Sequence, residues 1–169
     1  SQPKGRLVYA AARDITRQKA IEEQIYNDKE QFKTTLLSVG DGILAADQNG
    51  RIQVINEVAA RLTGWSAEEA MGQPFSDVVR IIREHSRLAC PDPVQEVFRT
   101  GLVSECDQEV LLVSRDGHEI PIENRSAPIR SQAGQITGVV SVIRDCTDKR
   151  ERQREVEFLS FHDHLTGLY

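Results

Sequence analysis

The sequence predicts an α+β fold: a five-stranded antiparallel sheet with short helices on one face and a longer helix at each end. Three features predict it. Asp47-Gln48-Asn49-Gly50 separates the runs 43–46 and 51–55, and Arg115-Asp116-Gly117 separates 105–114 from 118–128; Asn-Gly and Asp-Gly between β-rich runs mark hairpins. The segments between the hairpins start and stop on helix-capping residues. Residues 17–39 contain neither proline nor glycine and are rich in helix formers.

In the second strand of the first hairpin, simple alternation places Ile52, Val54 and Asn56 on one face and Arg51, Gln53 and Ile55 on the other. Asn56 ends that strand and caps a short helix over 57–62, which Gly64 stops. Ser66 and Glu69 have capping-box spacing for a second short helix. After Gln73-Pro74, residues 75–83 read as a third helix, with Val78, Val79, Ile81 and Ile82 apolar, and 84–92 have no clean period. Asp92 caps a helix over 93–100, with Pro93 at its first position, Val94, Val97 and Phe98 inward and Gly101 as its stop. Pro121 predicts an edge or a bulge in the strand 118–128. A turn at 131–135 leads to the last strand, 136–144, β-branched enough to be central. Asp145 ends it and caps a charged helix from Cys146 onward, with Asp148 at the positive end of the helix dipole.

At the other end, Ile21, Ile25, Phe32, Leu36 and Val39 recur at spacings of three and four, with Asp28 inside the seam. Such a narrow stripe serves a helix packed on its own domain or a helix paired with its twin in a parallel coiled coil, where Asp28 costs stability. Residues 5–16 have a counterpart in 138–147, about one domain further along, which reads as a tandem repeat of modules. On that reading 1–16 is the last strand of an upstream domain, and without its own sheet it borrows an edge or frays.

The 169 residues are 39% hydrophobic, enough for one core, and carry a net charge of -5 with pI near 5.4. That balance argues against a dedicated nucleic-acid surface, which would be basic. No apolar run is long enough to span a membrane. Cys90, Cys106 and Cys146 are too few and too irregular for a disulfide framework or a zinc site, as suits a reducing cytoplasm.

The run Gly42-Ile43-Leu44-Ala45-Ala46-Asp47, then Gly50-Arg51-Ile52, Val54-Ile55-Asn56, Ala59, Leu62-Thr63-Gly64-Trp65 and Glu68-Glu69, resembles a PAS sensor domain. Arg144-Asp145-Cys146-Thr147 resembles the Asp-x-Thr signature that closes such domains, so the likeness covers about 32–150. Residues 159–169 are similar to the opening of a diguanylate cyclase, or GGDEF, domain, with its Asp-x-Leu-Thr-Gly-Leu pattern. That family's catalytic signature and metal-binding acids would follow Tyr169, so these residues are regulatory rather than enzymatic. The resemblance implies a division into the tail of an upstream PAS domain (1–16), a signalling helix (17–39), a PAS domain (40–147), a linker helix (148–160) and the start of a GGDEF domain (161–169). It implies a cytoplasmic homodimeric sensor that acts on cyclic di-GMP synthesis in a bacterial signalling protein, with room for a membrane anchor elsewhere and a phosphodiesterase domain further on. The competing expectation is a ligand-free spacer and dimeriser.

Candidate site residues follow from pattern and resemblance together. Trp65, the only tryptophan, is expected to pack beneath the second helix and is the first residue to test for a stacked ligand. His85 would be the haem ligand to consider, but haem-binding relatives place histidine on the helix at 93–100, which has none. Cys90 stands in Ala-Cys-Pro rather than the Asn-Cys-Arg context of flavin thioadducts. Haem and flavin are therefore both disfavoured. Asn124, polar on a face shared with Ile120 and Ile122, and Ser126 and Ser141 line a possible pocket, with Arg80 and Arg83 near its mouth for an anionic ligand. Asp14, Thr16, Asp145 and Thr147 are expected at strand-to-helix joints that couple the signal. His162 and His164 flank Asp163, but this short run reads as a solvated domain junction rather than a metal site, with Asp163 structural.

Overall fold

The computed structural model describes the backbone of residues 3–38 and 40–166 and the side chains of 14–32, 34–35, 40–106, 109–162. The chain divides into two units, 1–39 and 40–169. In the first, α1 runs from Pro3 to Ser38 as one 36-residue helix. Residues 5–16, expected as a strand, are thus helical. Ala10-Ala11-Ala12 favours helix, and a helix pairs its own backbone where a strand in this unit would have no neighbour. Asp14 and Thr16 consequently lie within α1 and not at a strand-to-helix joint. Ile21, Ile25 and Phe32 are exposed on α1, as is Tyr26. The remainder of the expected stripe, Leu36 and Val39, lies outside the described side chains.

Among the described residues the second unit holds six strands, not five. They are β1 (Gly42–Asp47), β2 (Ile52–Ile55), β3 (Arg80–Arg83), β4 (Ser104–Val113), β5 (Glu119–Arg130) and β6 (Ile136–Asp145), ordered β2-β1-β6-β5-β4-β3 and all antiparallel. Four short helices, α2 (Glu57–Thr63), α3 (Ala67–Ala70), α4 (Phe75–Val78) and α5 (Pro93–Thr100), connect the first two strands to β4, and α6 (Thr147–Thr166) follows β6.

The additional strand is the part read as the end of the third helix. Only Phe75–Val78 is helical. Val79 is already extended, and Arg80-Ile81-Ile82-Arg83 pairs with Val113-Leu112-Leu111-Val110 along the outer edge of β4. A run of β-branched residues fits either a buried helix face or a strand, and an unfilled edge decides for the strand.

The caps fall where the sequence places them. Asn56 Oδ1 accepts the Ala59 amide at 2.9 Å, Ser66 and Glu69 close a capping box, and Asp92 Oδ1 accepts the Val94 amide at 2.8 Å. Gly64 and Gly101 end α2 and α5 in the left-handed conformation that glycine adopts without a Cβ penalty.

The alternation read for β2 does not hold. The register shifts between Ala45 and Ala46, so that Leu44 faces Ile55 and Ala46 faces Ile52. Ile52 and Ile55 thereby both turn toward the core, while Val54 is 43% exposed. The core lies between the sheet and the short helices. Phe75, Leu44, Ile52, Leu112, Ile122, Ile143, Val94 and Val97 are among its fully buried members, each contributing about 1.5–3 kcal/mol by leaving water. Gly138 permits close packing of β6 on β1, since a Cβ there would stand 2.5 Å from the Ala46 carbonyl oxygen.

Asp92 gives a pH test of the α5 cap. Burial pushes its carboxyl above the ordinary value, against the Val94 and Gln95 amides that favour the anion. The folded chain therefore holds this proton more firmly than the unfolded one, and the group's contribution to stability falls as pH rises from the ordinary carboxylate range through the raised value. Asp92→Asn keeps the acceptor without the charge and is expected to match or exceed the native melting temperature at pH 7. Asp92→Ala should lose about 1 kcal/mol, and thermal denaturation across pH checks both.

Candidate functional site

Three arrangements of polar side chains stand out in the second unit, one inside the sheet and one at each joint of the chain with it.

The first is on the inner face. Strand pairing sets Ser126 opposite Ser141 and Asn124 opposite Ile143, so all three polar side chains point into the core. They are 2%, 0% and 0% exposed for Asn124, Ser126 and Ser141. Asn124 Nδ2 donates to Ser141 Oγ at 2.8 Å, and Ser126 Oγ lies 3.0 Å from Ser141 Oγ and 3.3 Å from Asn124 Oδ1. Buried polar groups need partners, and these supply one another. Across β4, Cys106 pairs with Asn124, after which the strand bulges and resumes pairing at Val110 with Ile122.

Trp65 is partly buried between α2 and α3 and packs against the core. The Arg115 guanidinium lies over its ring at 4.4 Å and also reaches Glu69 at 3.0 Å. Arg115 and Ser66 hold the Glu69 carboxyl below its ordinary value. Arg80 and Arg83 are exposed on the edge strand β3, away from Asn124, Ser126 and Ser141. His85 is also exposed, with Nδ1 3.3 Å from Glu109. The cluster Asn124, Ser126 and Ser141 is brought together, whereas the two arginines and the histidine are not part of it.

The second arrangement lies where the chain enters the sheet. Asn56 Oδ1 accepts both the Ala59 amide that starts α2 and the Ile43 amide at the start of β1, each at 2.9 Å. Its Nδ2 donates to the Asp41 carbonyl at 3.0 Å. The Asp41 carboxylate in turn receives Arg144 Nε at 3.1 Å and Nη2 at 2.9 Å. This bidentate pair joins the start of β1 to the end of β6.

The third lies where the chain leaves. Asp145 Oδ1 accepts the Thr147 amide at 2.8 Å and the Thr147 hydroxyl at 2.5 Å, so both residues expected at this joint are in place. The Cys146 amide donates to the Pro121 carbonyl at 2.8 Å. The ladder would be completed by the reciprocal bond, but proline has no N–H to give. The Cys146 carbonyl instead accepts the Arg150 amide at 2.9 Å, the first helical bond of α6. Pro121 therefore sits in a central strand, opposite the point where β6 stops, and not at an edge. Burial pushes the Cys146 thiol up, and so does the nearby Glu123 carboxylate; burial does the same to Cys90. Both are held as thiols rather than reactive thiolates.

Ion pairs fix the first turns of α6. Lys149 Nζ is 2.6 Å from Glu123 on β5, Arg150 Nη1 contacts Glu84, and Arg154 Nη2 is 3.7 Å from the same carboxylate. Asp41, Glu84, Arg115, Glu123, Lys149 and Arg150 were not among the residues expected to matter. Lys149-Arg150, four and five residues after the capping Asp145, is the one local signal of them; the partners are distant in sequence. α6 itself continues past 160 to Thr166, so the expected junction at 161–166 is helical. The side chains of Asp163 and His164, and residues 167–169, lie outside the described residues. Among the described residues no cluster of three or more His, Cys, Asp or Glu side chains is arranged to hold a metal ion, and no helix is long and apolar enough to cross a membrane.

A six-stranded antiparallel sheet carrying four short helices on its inner face, with a capped joint leading into an exit helix, defines a sensor-type α+β module. The chain belongs to the PAS family: the family model described as the PAS fold matches residues 30–146. It is 30% identical over 157 residues to the probable diguanylate cyclase DgcE of Escherichia coli, covering 92% of this chain and 14% of that protein. It is 26% identical over 129 residues to the sensor protein kinase WalK of Staphylococcus haemolyticus, covering 76% of this chain and 19% of that one. The chain thus spans less than a fifth of the length of these curated relatives. Among solved structures, a PAS domain from Colwellia psychrerythraea is 25% identical with a TM-score of 0.55, over 70% of this chain and 97% of that one. A PAS domain from Haloarcula marismortui, 14% identical with a TM-score of 0.56, covers 75% and 98% and shares the fold. The module is regulatory in kind, and its relatives are signalling proteins.

The inner cluster can be tested by Ser141→Ala. Losing this hydroxyl leaves the Asn124 amide and the Ser126 hydroxyl each short of a partner in a dry environment, at an expected cost of about 1–3 kcal/mol. Chemical denaturation should report that loss with an unchanged denaturant slope.

Proposed function

We propose that this chain is a sensory and dimerisation module that regulates a C-terminal diguanylate cyclase, and so cyclic di-GMP signalling, through α1 and α6. The observation that carries the reading is the reach of the likeness to the probable cyclase. It extends over 92% of the chain, beyond the family-matched residues 30–146 and into the flanking helices. The kinase relatives support a common role for the module with different outputs. Serving a cyclase places it in the cytoplasm. The exposed Ile21, Ile25 and Phe32 on α1 support parallel pairing with a second copy, in which Asp28 acts as a register-setting polar residue.

The coupling element is the joint at Asp145 and Thr147. It fixes where β6 becomes α6, so a change in the sheet alters how α6 departs. Asp14 and Thr16 on α1 are proposed to matter to the pairing helix. Any ligand must bind the two arrangements of the module unequally, and a tenfold difference supplies about 1.4 kcal/mol of bias. We place such a ligand on the inner face near Asn124, Ser126, Ser141 and Trp65. A second reading, a ligand-free spacer and dimeriser, is favoured by one specific observation: Asn124, Ser126 and Ser141 already satisfy one another.

A native mass spectrum of the purified chain separates the two readings. Sensing by a resident ligand predicts a dimer mass with a small-molecule increment; a dimer of bare chains, unshifted in thermal denaturation by a metabolite library, supports the spacer. Asp145→Ala in the full-length protein is expected to change cyclic di-GMP output while leaving the module's melting temperature within a few degrees of native. Unaltered output and regulation would remove Asp145 from the coupling role.

A further inference from the structure

We propose that Glu84 is the latch that holds α6 against the sheet and sets the last fixed point before the helix projects away. This rests on the reading that α6 carries the output. Glu84 follows directly on the edge strand β3, and its position is set by β4. Its amide donates at 2.7 Å to the carbonyl of Glu109, which lies in the β4 bulge with φ 55°. A non-glycine residue rarely adopts that conformation, and bulges commonly re-aim neighbouring groups.

The Glu84 carboxylate is then met by two cations one helical turn apart on α6, Arg150 and Arg154. The inner pair is sheltered, with the Arg150 and Glu84 side chains 22% and 29% exposed, where screening by water is reduced. Lys149 makes a separate contact to Glu123 on β5.

The space between α6 and the sheet is a charge-lined cleft of about 700 Å³ bordered by Glu84, Glu109, Glu123, Lys149, Arg150 and Gln153. α6 is held across this cleft by its ion pairs to Glu84 and Glu123, over a floor that includes the buried Ile122 and Cys146. Past Arg154, Val156, Phe158, Leu159 and Phe161 are 60–65% exposed, so the contact with the sheet ends there. Removing the Glu84 charge should free α6 at no cost to the core. A shift of the bulge would reach α6 through the Glu84 carboxylate, while Lys149 stays tied to Glu123 on β5.

Hydrogen exchange by mass spectrometry on the intact chain tests the latch. Glu84→Gln is expected to raise exchange of the α6 amides over 150–156 about threefold to fivefold. Glu84→Arg should raise it further, and Glu84→Arg combined with Arg150→Glu should return it toward native, while β5 and β6 amides stay protected throughout. Native exchange of α6 in Glu84→Arg overturns the latch. So does a rise shared equally by β5 and β6, because that is loss of the sheet. The readout needs neither ligand nor output domain. A bare-chain native mass spectrum with latch-dependent α6 exchange would count against sensing alone, and the reverse pair of results against the latch alone.

Discussion

Everything in the second unit depends on the pairing of β6 with both β1 and β5. Antiparallel pairing of the first strand with the last sets the start of β1 beside the end of β6. The chain consequently enters and leaves the sheet at the same end. The Asp41–Arg144 pair spans 103 residues of sequence yet only about 3 Å of space. A partly exposed pair of this kind adds little to stability. Its larger effect is geometric, because a bidentate carboxylate–guanidinium contact fixes orientation as well as distance. Asn56 completes the knot by serving β1 and α2 with one oxygen.

Interior polarity has a parallel logic. Three polar side chains on adjoining strands are tolerable in a core only as a set. The hydroxyls at Ser126 and Ser141 and the amide of Asn124 therefore constrain the relative register of β5 and β6 as firmly as the surrounding valines and isoleucines fill it.

What the sequence made legible was whatever depends on neighbours within three or four residues. Asn56, Ser66 and Asp92 cap helices by reaching amides two or three positions on, and Gly64 and Gly101 stop them through their own backbone freedom, so local pattern sufficed. The inward-facing group Asn124, Ser126 and Ser141 followed from strand alternation plus one hairpin. Four things escaped. The β2 facing was misread because Gln53 is an extra residue in β2 opposite the Ala45–Ala46 step, and it cancels one step of alternation. Arg80-Ile81-Ile82-Arg83 was misread because only the vacant edge of β4 makes it a strand. The helical state of residues 5–16 follows from the lack of a pairing strand in the first unit, which a repeat in the sequence cannot express. The ion pairs at the joints were invisible for a simpler reason: charges are abundant, and nothing along the chain says which of them meet.

Pro121 has a consequence for the geometry of output. By withholding a single donor it leaves the Cys146 carbonyl without a ladder partner, and that carbonyl takes the first helical bond of α6. Each residue of an α-helix turns it by about 100°. Adding or deleting one position between Asp145 and Thr147 would thus turn the face of α6 that leads away from the sheet by about 100°.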